Sequence, residues 1–243
     1  MRTQRLDLAL VERGFFESRN QAVEAIKLGE VSISERVIKK PSFKVSNLTE
    51  ITIKEKPRYL SRSALKLKYY LQDYPLDLEQ RVAIDIGSST GGFTQVLLEY
   101  GVKSVDAVDV GSNQLHHSLR KNRKIELFEQ TDIRDFKSSK EYGIVVSDVS
   151  FISLIAILPK IVELSGQNSD IILLFKPQFE VGRSAKRDSK GVVLDKKAVE
   201  DARANFEQKA ESLRLKLIRT TPSKQLGKEG NQEYIYHFKK GLV

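Results

Sequence analysis

A short apolar run that stops on small residues and then becomes helical is the feature that most constrains the fold. Residues 82–86 read Val-Ala-Ile-Asp-Ile, and residues 87–92 read Gly-Ser-Ser-Thr-Gly-Gly before the apolar pattern resumes at Phe93. Glycine lets the backbone turn sharply and approach a ligand, and the start of a helix presents unpaired N–H groups to that ligand. The stretch predicts a strand, a ligand-binding loop and a helix, although similar turns also close sheets that bind no ligand.

The next apolar run carries an acidic residue where doubly wound sheets bind a ribose. The run covers residues 105–110. Asp109 follows the glycine loop by about twenty residues, the spacing at which a carboxylate binds ribose hydroxyls in such folds. Together, the loop and the carboxylate predict a ligand that contains adenosine.

Strand and helix patterns alternate over the larger part of the chain, which predicts a mainly parallel α/β sheet with helices on both faces. The runs 216–221 and 234–238 have no helix between them, so they predict a terminal hairpin and one antiparallel strand. The other predicted strands are 82–86, 105–110, 124–129, 143–148 and 170–175, and the predicted helices lie near 92–100, 112–121, 152–165 and 195–213.

The chain is predicted to contain two domains. Residues 1–55 predict a small α+β domain, because their helix and strand patterns are complete before Pro57. A linker is predicted over residues 56–60. The larger domain, over residues 61–243, is predicted to open with a helix capped by Ser61.

The small domain shows two helix patterns followed by two strand patterns. Residues 5–13 predict the first helix, and Ser18 with Gln21 has the spacing of a capping box that starts the second. Gly29 is predicted to end the second helix. Strands are predicted at 31–33 and 51–53.

Composition restricts the class of protein and its partners. A net charge of +9 favours a polyanionic partner such as nucleic acid. The chain has no cysteine, and His116 and His117 have no metal-like partners in the pattern, so neither disulfides nor a metal site is predicted. The apolar stretch 144–162 contains Asp148 and Lys160, which predicts a core strand and helix rather than a membrane span. No signal peptide pattern opens the chain, so we expect a cytoplasmic protein.

Charged residues end several of the predicted strands. Ligands bind at the carboxyl ends of strands in open parallel sheets, which makes Asp85, Asp109, Asp148 and Lys176 candidates for chemistry. A charge at the end of a buried run is costly unless it is solvated or paired. Asp148 and Lys176 therefore predict either a catalytic pair or a salt bridge at the rim of the sheet. Asp132, after a more polar strand, is a candidate contact for the edge of a base.

Seven sequence blocks resemble one family of enzymes. They read SRSALKL, DIGSSTGGFT, AVDVGSNQL, SDVSFISL, LLFKPQFEVG, KGVV and GKEGNQEY. In that order they resemble the TlyA (hemolysin A-like) family of ribosomal RNA methyltransferases, which is related to the FtsJ type of 2′-O-methyltransferase. The N-terminal RLDLALVERG and SRNQAVEAIKLGEVSI resemble the RNA-binding domain named after ribosomal protein S4. The resemblance implies a Rossmann-like class I methyltransferase sheet preceded by this RNA-binding domain.

The resemblance also implies an activity. The expected enzyme uses S-adenosylmethionine to methylate the ribose 2′-hydroxyl of a cytidine, and its partner is ribosomal RNA or a ribosomal subunit. The chain resembles the shorter family members, which implies large-subunit (23S) RNA. The implied catalytic tetrad is Lys66, Asp148, Lys176 and Glu233. A base role requires an uncharged Lys176, whereas the two carboxylates favour the charged form, so Lys176 either deprotonates the hydroxyl or only positions it.

Two further sets of residues are predicted to bind ligands. Residues 87–93 are expected at the methionine end of the cofactor, Asp109 at the ribose and Asp132 at the adenine. The full cofactor set is Asp85, Gly87, Ser88, Ser89, Gly91, Gly92, Phe93, Asp109, Val110, Asp132 and Asp148. The RNA set is Arg5, Arg19, Lys27, Arg62, Arg183 and Arg187. The alternative for the RNA set is that these are solvated surface charges.

Two other functions remain as alternatives. A membrane-lytic protein is suggested by the older name of the family, but the sequence predicts no apolar span, no strongly amphipathic basic helix and no stable membrane insertion. A non-catalytic ribosome-assembly factor would bind RNA and cofactor, and its function would not depend on Lys176.

Overall fold

The computed structural model describes residues 3–16, 18–53 and 59–241, and the chain divides into two compact units, residues 1–58 and 59–243. Residues 54–58, which include most of the predicted linker, lie outside the described residues. The first unit buries its apolar residues in one core, and the second buries them in two, one on each face of a sheet.

Two helices and two small antiparallel sheets form the first unit. The Ser18 hydroxyl accepts the Gln21 N–H at 3.3 Å, as the capping pattern predicts. Strand β1 pairs with β4, and β2 lies between β3 and β5. The sequence analysis did not predict β1, β3 and β4, which are two or three residues long. The elements are β1 (Thr3–Arg5), α1 (Leu6–Glu12), α2 (Arg19–Lys27), β2 (Val31–Ile33), β3 (Arg36–Val37), β4 (Lys44–Ser46) and β5 (Thr52–Ile53).

A seven-stranded sheet forms the centre of the second unit. The strand order is β11-β12-β10-β9-β6-β7-β8, in which β12 is antiparallel to both neighbours and the other pairs are parallel. This confirms the predicted Rossmann-like sheet with its reversed strand. The elements are α3 (Arg62–Asp73), β6 (Val82–Ile86), α4 (Gly92–Glu99), β7 (Ser104–Val108), α5 (His117–Arg120), β8 (Ile125–Phe128), β9 (Tyr142–Ser147), α6 (Leu154–Leu164), β10 (Ser165–Phe175), α7 (Pro177–Glu180), α8 (Lys196–Ser212), β11 (Leu215–Pro222) and β12 (Tyr234–Lys240).

Helices cover both faces of this sheet, as predicted. Helices α3 and α4 pack on one face, and α6 and α8 pack on the other. A strand that is covered on both faces needs apolar residues at successive positions. In β9, Ile144 and Val146 contact the α3 and α4 side while Val145 contacts the α6 and α8 side, which explains the unbroken apolar run.

The predicted helix over residues 112–121 is wrong over most of its length, since only His117–Arg120 is helical. The Glu129 carboxylate accepts the backbone N–H groups of Asn113, Gln114 and Leu115, at 2.8–3.3 Å. The Glu129 side chain, which directly follows β8, holds these three residues in a loop through the hydrogen bonds. A contact of this kind leaves no periodic signal in the residues of the loop itself.

The prediction that Ser61 caps the first helix of the larger domain is also wrong. Ser61 occupies the N-cap position of α3, but its hydroxyl makes no capping hydrogen bond. Instead it lies 2.6 Å from the Ser63 hydroxyl. The helix therefore starts where predicted, without the predicted contact.

The apolar stretch 144–162 forms the end of β9 and most of α6, as predicted. Asp148 lies in the connection between the two elements. Within residues 3–16, 18–53 and 59–241, no helix has the length and apolar character needed to cross a membrane.

A buried polar network links α3 to the sheet. The Tyr70 hydroxyl lies 2.8 Å from His237 Nδ1, and His237 Nε2 lies 2.8 Å from Asp170 Oδ1. Asp170 Oδ2 accepts a further hydrogen bond from Arg81 at 2.5 Å. An ionised carboxylate only accepts, so His237 donates to Asp170 through Nε2, and the Tyr70 hydroxyl is the partner of Nδ1. Burial raises the pKa of Tyr70 to about 12, which keeps this hydroxyl protonated.

Replacing Tyr70 with Phe removes the hydroxyl group and leaves His237 Nδ1 buried without this partner. We expect Tyr70→Phe to lower the free energy of unfolding by about 1–2 kcal/mol. Urea denaturation measures this loss, with Tyr69→Phe, at a half-buried neighbouring position, as the matched control. Equal stabilities of the two variants would contradict the assigned role of the network.

A candidate active site at the carboxyl edge of the sheet

A cleft of about 710 Å³ opens at the carboxyl ends of β6, β9 and β10 in the second unit. This is the edge at which open parallel sheets bind ligands. Predicted site residues in its lining are Arg62, Lys66, Asp85, Gly87, Ser88, Ser89, Phe93, Asp148, Lys176, Arg187 and Glu233.

Strand direction explains how the four predicted catalytic residues meet. Strands β9 and β10 are parallel neighbours, so Asp148 and Lys176, which directly follow them, emerge at the same edge. Strand β12 runs the opposite way and pairs Tyr234 with Phe175, which brings the preceding residue, Glu233, to that edge as well. Lys66 reaches the set from α3.

The four side chains form two linked ion pairs. Lys176 Nζ lies 2.6 Å from Asp148 Oδ1 and donates to the Ser150 hydroxyl at 2.9 Å. Lys66 Nζ lies 2.6 Å from Glu233 Oε2 and 3.9 Å from Asp148 Oδ2. All four side chains are largely buried, and Glu233 is only 2% exposed. Buried charges are tolerated when they are paired, and here two cations face two anions.

The glycine loop is held in place by Asp109. Asp109 Oδ2 accepts the Ser89 N–H at 2.8 Å, and Oδ1 accepts the Gly111 N–H at 2.7 Å. The loop turns sharply at Gly87, whose φ is +78°, a value that disfavours other residues. Asp109 was predicted to bind a ribose. Each carboxylate oxygen has a second lone pair, so bracing the loop leaves acceptor capacity for hydroxyls.

Asp85 is a buried carboxyl group beside the cleft. Its Oδ2 accepts from the Thr94 N–H at 2.9 Å and the Thr94 hydroxyl at 2.6 Å, whereas Oδ1 has no hydrogen-bond partner among the described residues. Burial raises the pKa of Asp85 to about 7. An incompletely paired carboxyl group of this kind fits a ligand that carries positive charge.

Gly91 and Gly92, both predicted to bind the cofactor, are packing positions in the structure. A Cβ at Gly91 would overlap the side chains of Leu115 and Leu119, and its φ is +93°. A Cβ at Gly92 would overlap the hydroxyls of Ser61 and Ser63. The absence of a side chain at these positions lets α4 approach its neighbours closely.

Three more predicted cofactor residues do not line the cleft. Asp109 is largely buried and hydrogen-bonded to the loop, and Val110 is exposed to solvent. Asp132 binds Arg134 through both carboxylate oxygens, and these hydrogen bonds lower the pKa of Asp132 to about 2.

The predicted RNA contacts fall into three groups. Arg62 and Arg187 line the cleft, and Arg187 also donates to the Gln178 carbonyl at 3.2 Å. Arg183 is exposed and does not line the cleft. Arg5, Arg19 and Lys27 belong to the first unit, where Lys27 is exposed on α2 and both arginines contact Asp7.

Sequence reasoning missed an aromatic pair in the cleft. Phe151 is 91% exposed, has a φ of +66°, and packs against Phe179 with ring centroids 5.1 Å apart. An exposed phenylalanine in a left-handed conformation is unusual and indicates a functional site. The sequence did contain a signal for this pair: Phe151 lies three positions after Asp148, and Phe179 lies three positions after Lys176.

Both units match known protein families. Residues 59–240 match the FtsJ-like methyltransferase family, and residues 4–48 match the S4 domain. The chain is 45% identical to the 23S rRNA (cytidine-2′-O)-methyltransferase TlyA of Campylobacter jejuni, over 92% of this chain and 94% of the relative. It is 37% identical to the 16S/23S rRNA (cytidine-2′-O)-methyltransferase TlyA of Mycobacterium tuberculosis, over 96% and 88% respectively.

A solved structure gives the same result for the fold. It is a Streptococcus thermophilus protein that is provisionally named a hemolysin, with a TM-score of 0.72 and 35% identity over 99% of this chain and 90% of that one. The likeness therefore extends over both units.

Gly92 provides a test of the packing role. We expect Gly92→Ala to lower the free energy of unfolding by about 1–3 kcal/mol, because the added methyl group overpacks the contact with Ser61 and Ser63. Urea denaturation measures the change. Gly182→Ala is the matched control, since a Cβ there meets nothing closer than the Ser184 hydroxyl at 3.8 Å. A fully stable Gly92→Ala protein would contradict the packing role.

Proposed function

The chain belongs to the TlyA family of rRNA methyltransferases, and we propose that it transfers a methyl group from S-adenosylmethionine to the 2′-hydroxyl of a cytidine in ribosomal RNA. The observation that carries the proposal is the meeting of Lys66, Asp148, Lys176 and Glu233 in one cleft. We further propose 23S RNA as the substrate, because the relative that shares 45% identity is named for 23S RNA alone. We also propose the cytoplasm as the location of the protein.

The cleft has features that suit S-adenosylmethionine. Bound there, the cofactor supplies an electrophilic methyl group on a positively charged sulfur. Gly87, Ser88, Ser89 and Phe93 would hold it from the loop side. Asp85 would face its positive charge, which is consistent with the unpartnered Oδ1 of that residue.

Lys176 would orient the attacking hydroxyl. Its ammonium group has three N–H donors. Ser150 accepts one at 2.9 Å, the Asp148 carboxylate lies 2.6 Å away, and the Asp148 carbonyl accepts at the long distance of 3.5 Å. The N–H of this long contact would turn to the ribose 2′-oxygen and fix the angle from which this oxygen attacks. We therefore assign Lys176 to positioning, and Glu233 to holding Lys66 beside Asp148. The new O–C bond would form as the C–S bond breaks, with that electron pair left on sulfur, and the hydroxyl proton would pass to water at the open mouth of the cleft.

The mouth of the cleft would bind the nucleotide. Phe151 offers an exposed ring on which a base can stack, and stacking of bases on aromatic side chains is common where proteins bind single-stranded RNA. Arg62, Arg187, Lys190 and Lys228 in the lining supply positive charge for phosphates.

Loss of the tetrad should abolish the transfer and leave the cofactor site intact. We expect Lys176→Ala and Glu233→Gln each to reduce transfer of labelled methyl to unmodified ribosomal subunits by about 100-fold or more. Cofactor affinity, measured by calorimetry, should change little. The matched control is Lys160→Ala, because the Lys160 ammonium pairs with Glu163 on α6. Label on the small subunit alone would refute the 23S assignment, and transfer by Lys176→Ala at the wild-type rate would refute the tetrad.

The pH dependence of the transfer separates the two roles of Lys176. If it only positions the hydroxyl, the single-turnover rate at saturating cofactor should not rise with pH through a titrating group that Lys176→Ala removes. A rate that rises with such a group in the wild type would assign Lys176 as the base.

Cofactor affinity should itself depend on pH through Asp85. The carboxyl group is protonated below its pKa of about 7, and a cationic ligand favours the ionised form. The dissociation constant should therefore fall by about tenfold per pH unit as the pH rises towards 7, with proton release on binding, and level off above 7. Calorimetry in buffers of different ionisation enthalpy measures both effects. A profile that Asp85→Asn leaves unchanged would contradict the contact.

A further inference from the structure

A carboxylate without accessible surface lies at the start of α1 in the first unit. Asp7 is 0% exposed. Its Oδ1 accepts from Arg5 Nε at 2.9 Å, and its Oδ2 accepts from Arg5 Nη2 and Arg19 Nε, both at 2.9 Å. Oδ1 also accepts the Leu8 N–H at 3.2 Å. The hydrogen bonds from Arg5 are the main reason that the pKa of Asp7 lies below its ordinary value.

The two arginines remain open to solvent beyond this contact. Their side chains are 38% and 55% exposed for Arg5 and Arg19 respectively. A guanidinium group has five N–H donors in a rigid plane, and Asp7 takes two from Arg5 and one from Arg19. Within residues 3–16, 18–53 and 59–241, no other acceptor is hydrogen-bonded to these two groups, which leaves most of their donors for a ligand.

Two opposite explanations account for this cluster. In the first, Asp7 is structural and the arginines are its counterions. In the second, the arginines are functional and Asp7 holds them. A polar residue such as asparagine can accept the Leu8 N–H without a charge, and a buried ion pair is a poor way to gain stability. Long arginine side chains lose much rotational freedom on binding, so fixing them beforehand favours a ligand.

We propose that Asp7 is a positioning residue. It holds the guanidinium groups of Arg5 and Arg19 side by side, in an arrangement called here the arginine fork, which binds a phosphodiester group of RNA. The planar donors of a guanidinium match phosphate oxygens in a bidentate way, provided that the plane is correctly oriented. The proposal rests on the proposed function, which supplies RNA as the ligand.

Replacing Asp7 with Asn separates the two explanations by the sign of its effect. The substitution removes one negative charge, so charge alone predicts tighter binding to RNA. If Asp7 positions the arginine fork, binding weakens despite the more positive net charge. We expect the dissociation constant of the full-length protein for a 23S RNA transcript, measured by filter binding, to rise at least fivefold. The dependence on salt concentration should become less steep.

Glu12→Gln is the matched control. It makes the same change of charge on the same helix, where Glu12 accepts a hydrogen bond from Gln4. We expect this variant to bind RNA as tightly as the wild type or more tightly. Equal or tighter binding by a folded Asp7→Asn protein would overturn the inference.

A second pair of variants covers the case in which Asp7→Asn unfolds the first unit, as seen by thermal denaturation. Arg5→Lys and Arg19→Lys keep every charge and keep Asp7, but each loses one of the two planar guanidinium groups. We expect each to weaken RNA binding at least fivefold, and unchanged binding by both would overturn the inference. Methyl transfer by the wild type tests the proposed function separately, because the binding comparison needs no cofactor.

Discussion

The mutual neutralisation of two buried lysines and two buried carboxylates is the constraint on which the second unit depends. A buried charge without a partner is costly, so Lys66, Asp148, Lys176 and Glu233 must reach one place from a helix and three strand ends. Parallel strands deliver the residues that follow them to the carboxyl edge. Only an antiparallel strand brings the residue that precedes it to this same edge. The reversal of β12 therefore serves charge balance as well as packing.

The same edge of the sheet keeps its loop in a fixed shape. Asp109 holds the loop through the N–H groups of Ser89 and Gly111, and Asp85 holds the start of α4 through Thr94. Two carboxylates thus fix the backbone on either side of the turn. A site held in this way needs little further ordering when a ligand binds, which favours affinity.

Local patterns predict the sheet well and the contacts between distant residues poorly. Strand β9 was predictable because successive apolar residues mark a strand with both faces covered. The loop at 113–115 was not, because Glu129 determines its shape. Lys66 and Glu233 lie 167 positions apart, so only the family resemblance suggested that they meet. The exposure of Phe151 depends on a backbone conformation that its neighbours in sequence do not reveal.

Strand β12 has a further consequence for the order in which the molecule is assembled. It is the last strand of the described chain, yet it lies between β10 and β11 inside the sheet. During synthesis the earlier strands emerge first, and β10 and β11 remain without the strand that joins them until residues 234–240 enter the sheet. Until then Lys66 also lacks its carboxylate partner, which directly precedes the strand. If the tetrad acts as proposed, a growing chain would gain its activity only after β12 has joined the sheet and Glu233 has reached Lys66.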